Sequence, residues 1–135
     1  MSEVVAGERR RVSSGSPFEA TVGYCRAVAV DDRIFVAGTA PISPDGTVAA
    51  SPGEQARRVF EIIAAALDEL GSGLHDIVRT RVYLVDAADF TEIGAVHGEL
   101  LGAVRPANTT VVVAALLDPR WKVEIEVEAV TSRGR

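Results

Sequence analysis

The chain has one cysteine and one tryptophan, and aromatic residues make up only 5% of it. Each scarcity removes a class of protein. Cys25 alone cannot close an intramolecular disulfide, and no Cys/His group has zinc spacing, so neither a covalent staple nor a bound metal is expected. Lys122 is the one lysine and the net charge is -5, so there is no basic stripe for phosphates and nucleic acid is not an expected partner. No window approaches the ~18 apolar residues of a membrane span. The opening residues also lack the basic start and apolar run of a secretion signal. The expectation is a cytoplasmic chain with no membrane partner and a reduced thiol.

What is present is ordinary globular material, 47% hydrophobic and 24% charged in 135 residues, enough for one core and one domain spanning 1-135. The richest stretch runs from Val104 to Val127. From Thr109 to Leu117 both alternating sets of side chains are apolar, the pattern of a strand covered on two faces and so of a sheet's centre. From Lys122 to Ala129 the pattern becomes strict period two, with Lys122, Glu124, Glu126 and Glu128 opposite Val123, Ile125, Val127 and Ala129. Asp118-Pro119 marks a turn between them, and the unit reads as a closing antiparallel hairpin.

Residues 1 to 8 read as frayed, and Glu8 to Ser13 as a short edge strand whose three arginines discourage sheet-to-sheet pairing. Gly23 to Val30 and Arg33 to Thr39, joined at Asp31-Asp32, predict a hairpin. Its first strand places Tyr24, Arg26 and Val28 on one face, Cys25 and two alanines on the other. Gly38 at a strand end suggests close approach of a backbone or ligand. Ser51-Pro52-Gly53-Glu54 predicts a capped helix start. Val59, Ile62, Ile63, Ala66, Leu67 and Leu70 form its stripe, and Gly71 its stop. Ile77 to Val85 predicts a strand. Asp86 to Leu101 predicts a helix with Phe90, Ile93, His97, Leu100 and Leu101 inward. The order is β-β-β-α-β-α-β-β, one mixed sheet with two helices on one face. The other face needs cover, and a homo-oligomer supplies it economically.

Taken together, G-Y-C-R-A-V, R-I-F-V-A-G-T, D-I-V-R-T-R-V-Y-L-V-D-A-A-D-F, R-P-A-N-T-T-V and V-E-I-E resemble the Rid family, the reactive-intermediate deaminases also called YjgF/YER057c/UK114, over roughly residues 17 to 131. The resemblance implies a chorismate-mutase-like (bacillus type) α+β fold assembled as a homotrimer, with small-molecule clefts between subunits. It also implies hydrolysis of enamines and imines to 2-keto acids and ammonia, without cofactor or metal.

By position, Tyr24 matches the family's cleft tyrosine and Glu124 the glutamate that places or activates water. Thr110 matches the position whose backbone amide helps hold the ligand. Pro106 and Ala107 precede the position of the carboxylate-binding arginine, which here is Asn108. Gly94 stands where asparagine is usual, His97 where an aromatic is usual, and Thr39 where glutamine often follows the glycine. The chain therefore resembles a divergent branch. Losing a bidentate guanidinium-carboxylate contact costs ~2 to 4 kcal/mol, or ~30 to 1000-fold toward 2-imino acids.

Several residues keep two readings. Arg26, on the face of Tyr24, either replaces the missing charge or pairs with Glu124 or Glu126. Glu124 is either an acid/base or part of the wet face of an edge strand. His97 is either a packed histidine or a site residue. Trp121, in a turn, is expected to cap the cleft or an interface. The function expected is hydrolysis of an imine, enamine or related reactive metabolite, and the alternative is a non-catalytic metabolite-binding or sensing trimer.

Overall fold

The computed structural model describes residues 7-131. The expected frayed start lies outside them except for Gly7 and Glu8. The elements are β1 (Arg9–Val12), β2 (Ala27–Val30), β3 (Arg33–Thr39), α1 (Pro52–Glu69), β4 (Ile77–Leu84), α2 (Phe90–Leu101), β5 (Ala107–Val112) and β6 (Val123–Val130). This is the expected α+β order. The strands form one six-stranded mixed sheet in the order β1-β2-β3-β6-β4-β5.

Local signals explain α1 well. Ser51 Oγ accepts from the Glu54 amide at 3.1 Å, a cap that contributes about 1 kcal/mol. At the other end Gly71 takes φ +77°, so the Ser72 amide reaches Leu67 O at 2.9 Å and the Gly71 amide reaches Asp68 O at 3.0 Å. The buried stripe is Val59, Phe60, Ile63, Ala66 and Leu67, with Phe60 inward and Ile62 only partly so. Along β6 every second residue, from Val123 to Ala129, is buried against the helices. No helix among the described residues is long and apolar enough to cross a membrane.

The first hairpin starts later than its sequence suggests. Glu19–Gly23 is a π-helical turn, and regular pairing begins at Ala27. Glu19 holds this turn by accepting from the Ser14 amide and both Ser13 and Ser14 hydroxyls. The predicted parity holds, because Ala27 and Ala29 are buried while Val28 and Val30 are half-buried on the other side.

The last two strands correct the reading more seriously. β5 and β6 do not pair: β4 lies between them, parallel to β5 and antiparallel to β6. The crossover through α2 is what parallel pairing requires. β5 also ends at Val112 and occupies the sheet edge, where Val111 is 42% and Val112 54% exposed. Two apolar sides therefore mark a strand left uncovered in this protomer. β6 is a central strand, so the acidic row is not the wet face of an edge. On the helix-free face Arg79 Nε lies 3.2 Å from Glu128, and Arg81 Nη1 lies 3.5 Å from Glu126 and 3.4 Å from Glu128. Tyr83 donates its hydroxyl proton to Glu126.

Candidate functional site

Strand register sorts the candidate residues onto two sides of the sheet. Thr80 pairs with Asn108 and Val82 with Thr110, and both β4 residues are buried under the helices. Asn108 and Thr110 therefore face α2. Glu124 pairs with Tyr83 on the helix-free face, one residue from buried Ile125. In one protomer these residues cannot reach a common ligand.

The helix side holds a cleft of about 140 Å³ between α2 and β5. Val82, Phe90, Ile93 and Gly94 supply its apolar lining, and His97, Asn108 and Thr110 its polar atoms. These polar groups are already connected. Thr110 Oγ1 donates to Asn108 Oδ1 at 3.0 Å, and Asn108 Nδ2 donates to Thr80 Oγ1 at 3.0 Å. Thr80 Oγ1 lies 2.9 Å from His97 Nε2. The His97 ring also meets Phe60 edge-on at 6.0 Å, and burial lowers its pKa below the usual histidine range. His97 is thus both packed and facing the cleft.

Glu124 and Gly38 meet on the helix-free side, and Arg26 links them to Thr39, which pairs with buried Ile125. β3 is irregular between Val36 and Thr39, as expected where a bulge re-aims side chains. Arg26 Nη1 donates to Gly38 O at 3.2 Å and to Thr39 Oγ1 at 3.0 Å. Thr39, fully buried, passes its own proton to Ala37 O at 2.8 Å. Arg26 therefore makes no direct ion pair with Glu124 or Glu126 among the described residues. It acts on Glu124 through charge. Burial raises the Glu124 pKa, with Arg26 opposing and Glu126 reinforcing the rise. A carboxyl so placed holds its proton more tightly than one in water.

Gly38 gives that carboxylate its space. A Cβ at position 38 would sit 2.5 Å from Glu124 Oε2. The flexible end of Glu124 can swing away, so Gly38→Ala should change stability by less than ~0.5 kcal/mol. Melting curves of parent and variant check this.

Tyr24 follows the π-helical turn and is 37% exposed; its hydroxyl has no hydrogen-bond partner among the described residues. Trp121 is not among the cleft-lining residues, and its Nε1 is buried without a partner. Cys25 Sγ donates to Ala27 O at 3.3 Å and does not line the cleft. Among the described residues no cluster of three or more His, Cys, Asp or Glu is placed to hold a metal.

Residues 14-131 match the Endoribonuclease L-PSP family. The chain belongs to that family, the YjgF/YER057c/UK114 proteins. Rv2704 of Mycobacterium tuberculosis, a YjgF/YER057c/UK114 member, superposes with TM-score 0.84 and 40% identity over 92% of this chain and 100% of that one. A RutC family protein of Pyrococcus abyssi is 41% identical, covering 79% of this chain and 84% of its own. Escherichia coli TdcF, solved with bound serine, matches with TM-score 0.77 and 28% identity over 91% and 94% of the two chains.

In this YjgF/UK114 protein His97, Asn108 and Thr110, all named from the sequence, line the cleft, Glu124 lies across the sheet, and Thr80 is the cleft-side group that the sequence did not mark. Thr80 looked like one more strand threonine, because only the fold puts Asn108 and His97 on either side of its hydroxyl. Gly38 was marked for close approach, and what approaches is the Glu124 carboxylate.

Proposed function

We propose that this protein hydrolyses small imines or enamines without a cofactor, as a homotrimer with its sites between subunits. The observation that carries this reading is Glu124, a half-buried carboxylate with raised pKa lying over Gly38 beside Arg26. In that role Glu124 removes a proton from water as the oxygen attacks the imine carbon, and Tyr24 supplies a proton to the nitrogen. The resulting carbinolamine expels ammonia and leaves a carbonyl compound. Arg26 acts on the water-activating side, positioning Gly38 and tempering Glu124.

The split of the candidate residues supports the assembly. The cleft holding Asn108, Thr110 and His97 opens beside an uncovered edge strand, and Glu124 lies on an uncovered face. Packing the edge of one copy on the face of the next covers Val111 and Val112 and completes a site from both. Acidity makes RNA cleavage a poor fit.

A second reading, a metabolite-binding protein without turnover, is favoured by one observation: both ends of the Asn108 amide are engaged within the chain. The two readings separate by ammonia release from 2-iminopropanoate, 2-iminobutanoate and an imine without a carboxylate, each generated in situ. We expect release above the spontaneous rate, slow for the two imino acids because Asn108 replaces arginine. Spontaneous rates for all three, with ligand binding intact, would leave the binding protein.

A further inference from the structure

We propose that the cleft beneath α2 takes an uncharged small molecule, a carbonyl, amide or neutral imine, and that the Nδ1-H of neutral His97 binds its acceptor atom. This deepens the hydrolase reading and rests on it only for which site the substrate occupies.

The argument starts from proton counting. Thr110 Oγ1 donates to Asn108 Oδ1, which orients the amide so that Nδ2 donates to Thr80 Oγ1. Thr80 is fully buried, so its single hydroxyl hydrogen needs an acceptor. Among the described residues the group in reach is His97 Nε2, 2.9 Å away. Nε2 therefore accepts, and the neutral ring carries its hydrogen on Nδ1. The edge of Phe60 further fixes the ring. Nδ1 has no protein partner among the described residues and, unlike Trp121 Nε1, is not sealed from solvent. The ring lines the cleft, and this free donor is assigned to a ligand held there.

Charge decides the ligand class. No lining residue carries a charge while His97 is neutral, and burial keeps it neutral. Arg26, the cation that the helix-free face of the next copy would bring to the site, already donates to Gly38 O and Thr39 Oγ1 and comes with the Glu124 carboxyl. Asn108 Nδ2 spends one hydrogen on Thr80 Oγ1, and the hydrogen left over is a neutral donor that brings a carboxylate no charge. A buried carboxylate would lack a counter-charge, a penalty that an amide or ketone of the same shape does not meet. A cavity of about 140 Å³ admits a molecule of about six non-hydrogen atoms.

The test uses the full-length protein labelled with nitrogen-15, with propanamide and propanoate as probes of equal size that differ in charge. Long-range proton-nitrogen spectra should show His97 as the Nδ1-H tautomer. Propanamide should shift its signals, binding at least about tenfold more tightly than propanoate. Thr80→Val, equal in size but without the hydroxyl, should lose the tautomer preference and the response to propanamide, and Thr80→Ser should keep both. A hydrogen on Nε2, or propanoate binding as tightly as propanamide, would overturn the proposal. The wild-type measurements need no variant, so the test stands if Thr80→Val does not fold. Loss of the hydrolase reading is a different result: no ammonia from any imine, with the propanamide response intact, removes turnover and leaves the uncharged ligand. Ammonia release from 2-iminobutanoate with tight propanoate binding does the reverse.

Discussion

Glu124→Gln should lower the rate of imine hydrolysis by about 100- to 10,000-fold, the range for losing a positioned general base, and should make the folded protein more stable at neutral pH. The two effects share one cause. Burial raises the Glu124 pKa from 4.5, so the folded chain holds that proton more tightly than the unfolded chain does. For such a group the stabilising contribution is complete below the unfolded pKa and is lost as pH rises through the folded one. Above that point ionised Glu124 costs stability, which a neutral glutamine does not. Melting temperatures of parent and variant should therefore diverge toward neutral pH and converge in acid. In the parent, kcat/KM should rise with pH along an acid limb displaced above the ordinary carboxylate range. A Glu124→Gln protein that melts lower than its parent at pH 7 would mean that the ionised carboxylate holds the fold together.

Gln55→Leu should cause the largest loss of stability that leaves side-chain volume unchanged. Gln55 is 1% exposed in the first turn of α1. Its Nε2 donates to Ala49 O at 2.8 Å and to Arg120 O at 2.9 Å, and its Oε1 accepts from the Lys122 amide at 2.7 Å. One side chain thus ties the approach to α1 to the segment that leads into β6. Leucine leaves two carbonyls and an amide without that partner. At ~1 kcal/mol for each of the three lost bonds the total is about 3 kcal/mol. That corresponds to roughly 10 °C in Tm for a domain of this size. Thermal denaturation checks the figure, and a loss below ~1 kcal/mol would show that water replaces the amide. Lys122 lies two residues before Glu124, so activity should fall beyond what the unfolded fraction explains.

Legibility followed the range of the interactions involved. The start and end of α1 were readable because Ser51, Glu54 and Gly71 act on backbone groups within a few residues of themselves. Period-two alternation likewise identified the buried and open sides of β6, since side-chain direction in a strand is set by pleat geometry. β5 was misread as a central strand and as the partner of β6. Its pattern says that both faces want cover, and covering atoms from another chain would write the same pattern as atoms from this one. Neighbouring strands in sequence usually pair, but β4, α2 and β5 form a parallel unit that places β4 next to β6 instead. The edge-strand alternative for Glu124 fails for the same reason.

By itself the sequence determined the element order, the family, the identity of the polar residues and the absence of arginine at position 108, all properties of residues and their spacing. Tertiary structure decided that Asn108, Thr80 and His97 form one hydrogen-bonded series, that Glu124 lies over Gly38, and that these groups occupy opposite faces of the sheet. Those relations depend on strand order and register, which are set by contacts between residues far apart in the chain. No local pattern records them, because the energy that selects one register comes from burying the whole sheet against both helices at once.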